Sequence, residues 1–259
     1  MTPIEETLYL IRTRGWARLS GVVSPPLLDA LRADIEPVHA RRRAAQIEGG
    51  VEGKMEGIAH HVLGDDTSFD TFVNEMPCME IMQAHFSGKI ILLNFGAVTN
   101  EPGASTYTHK IHRDVRTFTR DCPLSLNMLV MLDDFTEENG ATLVLDGSHH
   151  LEQMPPAALF AAHARPLTGL AGDVVLFDSL LAHSAATNRS HKVRRALTLC
   201  FGRPFIKPQM DWTRFLSPTQ LGKLTPIGRQ LLGLDAQPAT SLQSYYQPPE
   251  RWTFKADQI

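Results

Sequence analysis

The chain has 259 residues, 43% of them hydrophobic and 20% charged, with 25 Lys+Arg against 28 Asp+Glu and a formal net charge of −3. Such values describe a globular chain with a substantial core, and the near-even charge balance excludes a polybasic surface for nucleic acid or an anionic membrane. Cys78, Cys122 and Cys200 are widely spaced and form no C-x-x-C pair; they argue against a disulfide framework or zinc knuckle and read as core fillers in a reducing cytoplasm.

In chain order, "MTPIEETLYLIRTRG" carries acids early and lacks the apolar core of a secretory signal. "RGWARLSGVV" predicts a short strand and a turn. In "SPPLLDALRADIEPVHARRRAAQ", Ser24 is a good N-cap, Pro25 suits the first helical position, and Leu28, Leu31 and Ile35 recur at helical spacing. An amphipathic helix covering a sheet follows. His60 and His61, in "MEGIAHHVLGDD", precede the strand-rich region. A segment placed there often closes over a site entrance, which makes both candidate substrate contacts; the alternative is a half-buried packing histidine.

From about residue 88 the texture changes. "KIILLNFGAVT", "TYTHKIHRDVRTFT", "LSLNMLVMLDDF", "ATLVLDGS", "ARPLTGL", "DVVLFDSLLAHSA" and "RRALTLCFGRPF" are strand candidates, separated by turn signals such as "NEPGAS", "TEENGA" and "TNRSHK". The longest apolar runs fall far short of the roughly 20 residues that span a bilayer. A series of short strands predicts a sandwich or barrel and not βαβ units. "SPTQLGKL" and "TPIGRQLLGL" return to helix signals, and "QPPERWTF" reads as extended. The expectation is one domain over residues 1–259: a helical cover (about 1–85), a β core (about 86–206) and a helical and extended tail (about 207–259).

The chemistry lies in the strand region. His112 and Asp114 stand two apart, so on a strand both project from one face, together with Lys110 and Arg116. Two histidines and a carboxylate with open positions suit a non-haem Fe(II) oxygenase, but an H-x-D alone is a weak signal and needs a third ligand. His183 is the best candidate, after the tight turn at Gly172-Asp173 and the buried run from Val174 to Phe177. Eleven residues later come Arg194 and Arg195, which face opposite ways on a strand; one can hold a carboxylate bidentately while the other makes a surface ion pair. His149 and His150, like His191, sit in turns and read as solvated. Arg116 and Arg120 are either contacts to an anionic substrate or solvated loop charges, and Arg203 reaches the cavity if the alternation after Arg194 persists.

The order HRD…ENGAT…GSHH…GDVVLFDSLLAHSAATNRS…RRAL, over roughly residues 10–205, resembles the phytanoyl-CoA dioxygenase family of iron- and 2-oxoglutarate-dependent oxygenases. The one departure, Asp146 where the family usually has proline in the "GSH" turn, leaves the metal site untouched. The resemblance implies a mainly β fold with flanking helices, the double-stranded β-helix or cupin-like jelly roll. It implies Fe(II) held by His112, Asp114 and His183, which are also the catalytic residues. It implies 2-oxoglutarate held by Arg194, with Asn127, Thr142 and Lys110 as further contacts, and O2 as the second co-substrate. His60, His61, Arg116 and Arg203 remain candidate substrate contacts. The reaction implied is oxidation of an unactivated C–H bond of a small molecule, with 2-oxoglutarate going to succinate and CO2, in the tailoring of a small or secondary metabolite. Because Asp114 keeps its carboxylate, hydroxylation or a related oxidation is expected over halogenation. The competing reading is a cupin-type enzyme using another divalent metal without 2-oxoglutarate. A monomer and a homodimer are equally open.

Overall fold

The computed structural model describes residues 1–104, 106–119 and 122–258. The chain opens with α1 (Pro3–Arg14), started by a capping box between Thr2 and Glu5 and stopped by Gly15 in the left-handed conformation. A side chain at Gly15 is excluded twice: φ is +93°, and a Cβ would come within 2.5 Å of Leu181 Cδ1 and 2.7 Å of His149 Nδ1. Then come β1 (Trp16–Leu19), α2 (Pro25–Glu48), β2 (Ile58–His60), α3 (Ser68–Asn74) and α4 (Met79–Phe86). The predicted helix is α2: Leu28, Leu31, Ile35 and Val38 are its buried positions, although Ser24 makes no side-chain capping bond.

The β core consists of β3 (Ile91–Asn100), β4 (Ser125–Met131), β5 (Leu143–Val144), β6 (Arg165–Pro166) after the short α5 (Ala157–His163), β7 (Val174–Asp178), β8 (His183–Ser184) and β9 (Arg194–Gly202). They form a six-stranded sheet, ordered β1-β7-β4-β9-β3-β2, and a three-stranded one, β6-β5-β8. All recorded pairings are antiparallel. This is the jelly-roll arrangement expected, but the sheets do not join into a closed barrel.

Period-two alternation divides the large sheet into two faces. Leu126, Met128 and Val130 of β4, with Leu197, Leu199 and Phe201 of β9, join Ile11, Leu31 and Phe72 in a core between sheet and helices. Leu129 and Met131 of β4 and Ala196 of β9 turn the other way and pack with Val144 of the small sheet and with Leu167 and Leu181 beside it. The site residues Asn127 and Arg194 share this second parity. The tail adds α6 (Trp212–Phe215), α7 (Pro218–Gly222), α8 (Pro226–Leu231) and α9 (Leu242–Tyr245). Trp212 plugs the helix-side core and donates its Nε1–H to the Leu92 carbonyl at 3.1 Å.

Several expectations need correction. "TYTHKIHRDVRTFT" is not a strand: it holds a 3-10 turn at Tyr107–His109, and among the described residues its one β-type backbone pairing is an isolated bridge between His112 and His183. "DVVLFDSLLAHSA" breaks into β7 and β8 around a turn closed by Leu181 N–H onto the Asp178 carbonyl at 2.9 Å. "QPPERWTF" contains a 3-10 turn at Pro249–Arg251 in place of a fully extended run. Of the cysteines, Cys122 is exposed and fills no core. Among the described residues, no helix is long and apolar enough to cross a membrane.

Candidate active site

Backbone pairing brings the two halves of the metal-competent set together. His112 and His183 exchange both backbone hydrogen bonds, N–H to carbonyl, at 3.0 and 3.1 Å, and Asp114 N–H donates to the Ser179 carbonyl at 3.1 Å. The imidazoles therefore lie side by side, ring centroids 4.2 Å apart. Each Nε2 is 3.7 Å from an Asp114 carboxylate oxygen, His112 from Oδ1 and His183 from Oδ2. One ligand atom from each of the three lies within 4.8 Å of the others.

The outer hydrogen bonds set the chemistry of these donors. His112 Nδ1–H donates to the Lys110 carbonyl at 2.8 Å, and His183 Nδ1–H to the Leu181 carbonyl at 2.9 Å. That fixes both tautomers with the Nε2 lone pairs facing the shared point. Burial lowers the His183 pKa, outweighing the opposing pull of Asp114, so the ring favours its neutral, ligating form. Asn127 donates its amide to Asp114 Oδ2 at 2.7 Å and orients the carboxylate. Two imidazole Nε2 atoms and a carboxylate on one side of a cavity fit a ferrous ion with open positions.

Arg113, between two of these residues, is buried and ties the segment down. Its guanidinium donates to the Ser148, Leu151, Glu152 and Gln153 carbonyls at 2.7–3.3 Å. Ser148 Oγ in turn accepts from Ala182 N–H at 2.8 Å, the residue before His183. The "GSHH" turn thus couples both halves of the set. His149 is buried rather than solvated; His149 and His150 both donate Nε2–H to the Arg12 carbonyl, at 3.1 and 2.9 Å.

The set lines a cavity of about 340 Å³ that also contains Arg194, Asn127, Thr142 and His60. Arg194 is 3% exposed. Its guanidinium carbon lies 4.1 Å from the Phe135 ring centroid, and its Nε finds no partner among the described residues. Burial pulls its pKa down to about 10, still cationic at neutral pH. Arg195, as expected, turns away and pairs with Asp133 through Nε at 2.9 Å and a terminal nitrogen at 2.8 Å.

Other candidates lie elsewhere. Lys110 and Arg116 are exposed and do not line the cavity, because the segment that carries them is not a strand and its side chains do not share a face. His61 packs edge-on against Trp212, ring centroids 5.5 Å apart, in a left-handed backbone conformation, and does not line the cavity. Arg203 stays outside: it donates to the Pro123 carbonyl at 3.4 Å and its guanidinium carbon lies 5.7 Å from the Phe86 ring centroid. Arg120 lies outside the described residues. Asn94, Tyr107 and Gln209 line the cavity without having been expected there; only Asn94 had a signal, as the polar interruption of "IILLNFGAV". A larger cavity of about 550 Å³ lies between α1, α4 and the Asp178–Leu180 turn, but none of His112, Asp114 or His183 lines it.

Comparison with known proteins fits this geometry. The family model for phytanoyl-CoA dioxygenase matches residues 11–196. The chain is 31% identical over 207 residues to Uncharacterized protein Rv1501 of Mycobacterium tuberculosis, covering 78% of this chain and 76% of the relative. It is 24% identical over 257 residues to Dioxygenase olcK of Penicillium canescens, covering 89% and 80%. Its fold resembles that of the non-heme alpha ketoglutarate dependent carbocyclase SnoK from nogalamycin biosynthesis, with a TM-score of 0.63 at 20% identity over 84% of this chain and 92% of that one.

Proposed function

The chain belongs to the phytanoyl-CoA dioxygenase family and is an iron- and 2-oxoglutarate-dependent dioxygenase, and from that premise we propose that it oxidises a C–H bond of a small molecule, with hydroxylation as the outcome. In this reading His112, Asp114 and His183 hold the iron, and Arg194 pairs with the distal carboxylate of 2-oxoglutarate. Iron and 2-oxoglutarate, when bound, supply the activation of O2 that oxidises the C–H bond while 2-oxoglutarate leaves as succinate and CO2. Asn127 keeps Asp114 aimed at the metal, the two Nδ1–H bonds hold both imidazoles with Nε2 turned toward it, and the apolar wall excludes water from the reacting carbon.

One observation carries the reading: a buried guanidinium, unpartnered at Nε among the described residues, lines the same cavity as the His-Asp-His set. A buried cation without a partner is costly, and an anionic co-substrate removes that cost. A cupin-type metal enzyme without 2-oxoglutarate has no use for it. The test is anaerobic addition of Fe(II) and 2-oxoglutarate: a weak visible charge-transfer band is expected, and its absence in folded protein would end the reading. We further propose that the helical cover, the β core and the tail work as one domain, since Ile11 and Trp212 share a single cluster with the sheet. The three free cysteines favour a cytoplasmic setting.

A further inference from the structure

Beyond the metal set and Arg194, the cavity holds a second arrangement of polar groups. On the inner face of the large sheet, Asn127 of β4 pairs in register with Cys200 of β9, and Cys200 with Asn94 of β3. At the usual interstrand spacing this row puts Asn94 about 10 Å from Asn127, the residue that holds Asp114. Asn94 lines the cavity, and its Oδ1 is buried without a hydrogen-bond partner among the described residues. Two residues along, Gly96 is closely packed: a Cβ there would stand 3.1 Å from Thr198 Oγ1, 3.2 Å from the Ala59 carbonyl oxygen and 3.6 Å from His60 Nδ1. At the rim, Tyr107 Oη and His60 Nε2 are 3.4 Å apart.

The charges in the cavity are as informative. Among the described residues that line it, Asp114 and Arg194 carry the only formal charges, and both are committed to the metal and the co-substrate. Burial lowers the His60 pKa and raises that of Tyr107, so both rim groups are neutral at pH 7. The remaining surface is mostly apolar, with Ile58, Leu93, Val98 and Leu199 among its members. No charged group is left for a phosphate, carboxylate or ammonium, and desolvating such a group without a partner is expensive. A volume of about 340 Å³ is near the lower end of ligand pockets, roughly 300–1,000 Å³.

We propose that the substrate is an uncharged, largely apolar small molecule carrying a hydroxyl or amide N–H, which it donates to Asn94 Oδ1. This rests on the oxygenase reading of the same cavity. Asn94 is then a specificity residue: its bond fixes one end of the substrate about two strand spacings from Asn127 and presents a carbon at that distance to the metal. An apolar analogue lacking the donor leaves Oδ1 unpaired and is penalised for it.

The experiment uses three probes of one skeleton: decalin, 2-decalol and decalin-2-carboxylate. Each is titrated into anaerobic protein loaded with Fe(II) and 2-oxoglutarate, following the charge-transfer band and, after O2 is admitted, succinate release. 2-Decalol is expected to bind about fivefold more tightly than decalin, the worth of one neutral hydrogen bond near 1 kcal/mol. It is expected to bind about tenfold or more tightly than the carboxylate, whose charge finds no partner. Asn94→Leu should bring alcohol and hydrocarbon to within about twofold of each other. Asn94→Ser, which shortens the side chain without adding apolar bulk, should do the same; the band reports whether each variant still folds. No band with wild-type protein overturns the oxygenase reading itself. A normal band with no response to 2-decalol, with tighter binding of the carboxylate, or with the alcohol preference intact in both variants overturns the substrate assignment alone.

Discussion

The Arg194 guanidinium, at 3% exposure and unpartnered at Nε among the described residues, is the most informative single group in the molecule. Removing one partner of a buried charge pair typically costs about 2–5 kcal/mol, so Arg194→Ala should weaken 2-oxoglutarate binding roughly 30-fold or more. Iron binding should change far less; anaerobic titration of each ligand separates the two, and equal losses would mean that Arg194 is misplaced in the scheme. Asn127→Leu should act in the opposite sense, loosening iron about 10–100-fold because Asp114 loses the amide that aims it. His61 makes a different prediction. Burial, aided by His60 and the Arg42 cation, pushes its pKa down to about 4. A histidine with a folded pKa below its unfolded value contributes stability that is complete above about 6.5 and is lost as pH falls toward 4. His61→Gln should therefore flatten the acid side of a denaturation-versus-pH curve. The flattening is partial, because burial moves His39, His60 and His85 in the same direction.

At the scale of elements, the short loop from Ser148 to Gln153 matters out of proportion to its length. Arg113 donates to four of its carbonyls, and the same loop holds Ala182 beside His183. Arg113→Ala leaves the buried Ser148 carbonyl without its donor, a loss of about 1–3 kcal/mol, and frees the more exposed carbonyls of Leu151, Glu152 and Gln153 to water. The expected outcome is a lower denaturation midpoint together with weaker Fe(II) binding, and a variant that loses stability but keeps iron affinity would deny the loop its coupling role. The strands that could be read from the sequence, β3, β4, β7 and β9, are long enough to show alternation or a continuous apolar run. The H-x-D segment could not be read this way. Its side chains alternate in character as a strand's would, yet it makes only one bridge, and the 3-10 turn at Tyr107–His109 precedes it. The His112–Asp114 pair nonetheless converges with His183, because backbone bonds at His112 and Asp114 place them and regular strand geometry is not needed. Lys110 and Arg116 failed as cavity residues for the same reason, since their expected direction depended on that geometry. Asn94 was legible only as a polar residue inside an apolar run, while Tyr107 and Gln209 reach the cavity through loop paths that no local pattern specifies.

For the molecule as a whole, the metal set joins parts that are far apart in sequence. His112 and Asp114 come from an irregular segment and His183 from the small sheet. An ion that binds the folded chain and not the unfolded one stabilises it by mass action, about 2.7 kcal/mol at a free concentration 100 times Kd. Anaerobic Fe(II) should therefore raise the melting temperature in proportion to the logarithm of its concentration, and Asp114→Ala should abolish the rise. The lengths of the strands have another consequence. The long ribbons, β3, β4 and β9, sit inside the large sheet, while its outermost members β1 and β2 have four and three residues. The small sheet ends on β6, two residues that include a proline. Such borders give a neighbouring molecule almost no row of free amides to copy, so crowded solutions of this protein should resist fibril growth from the native state.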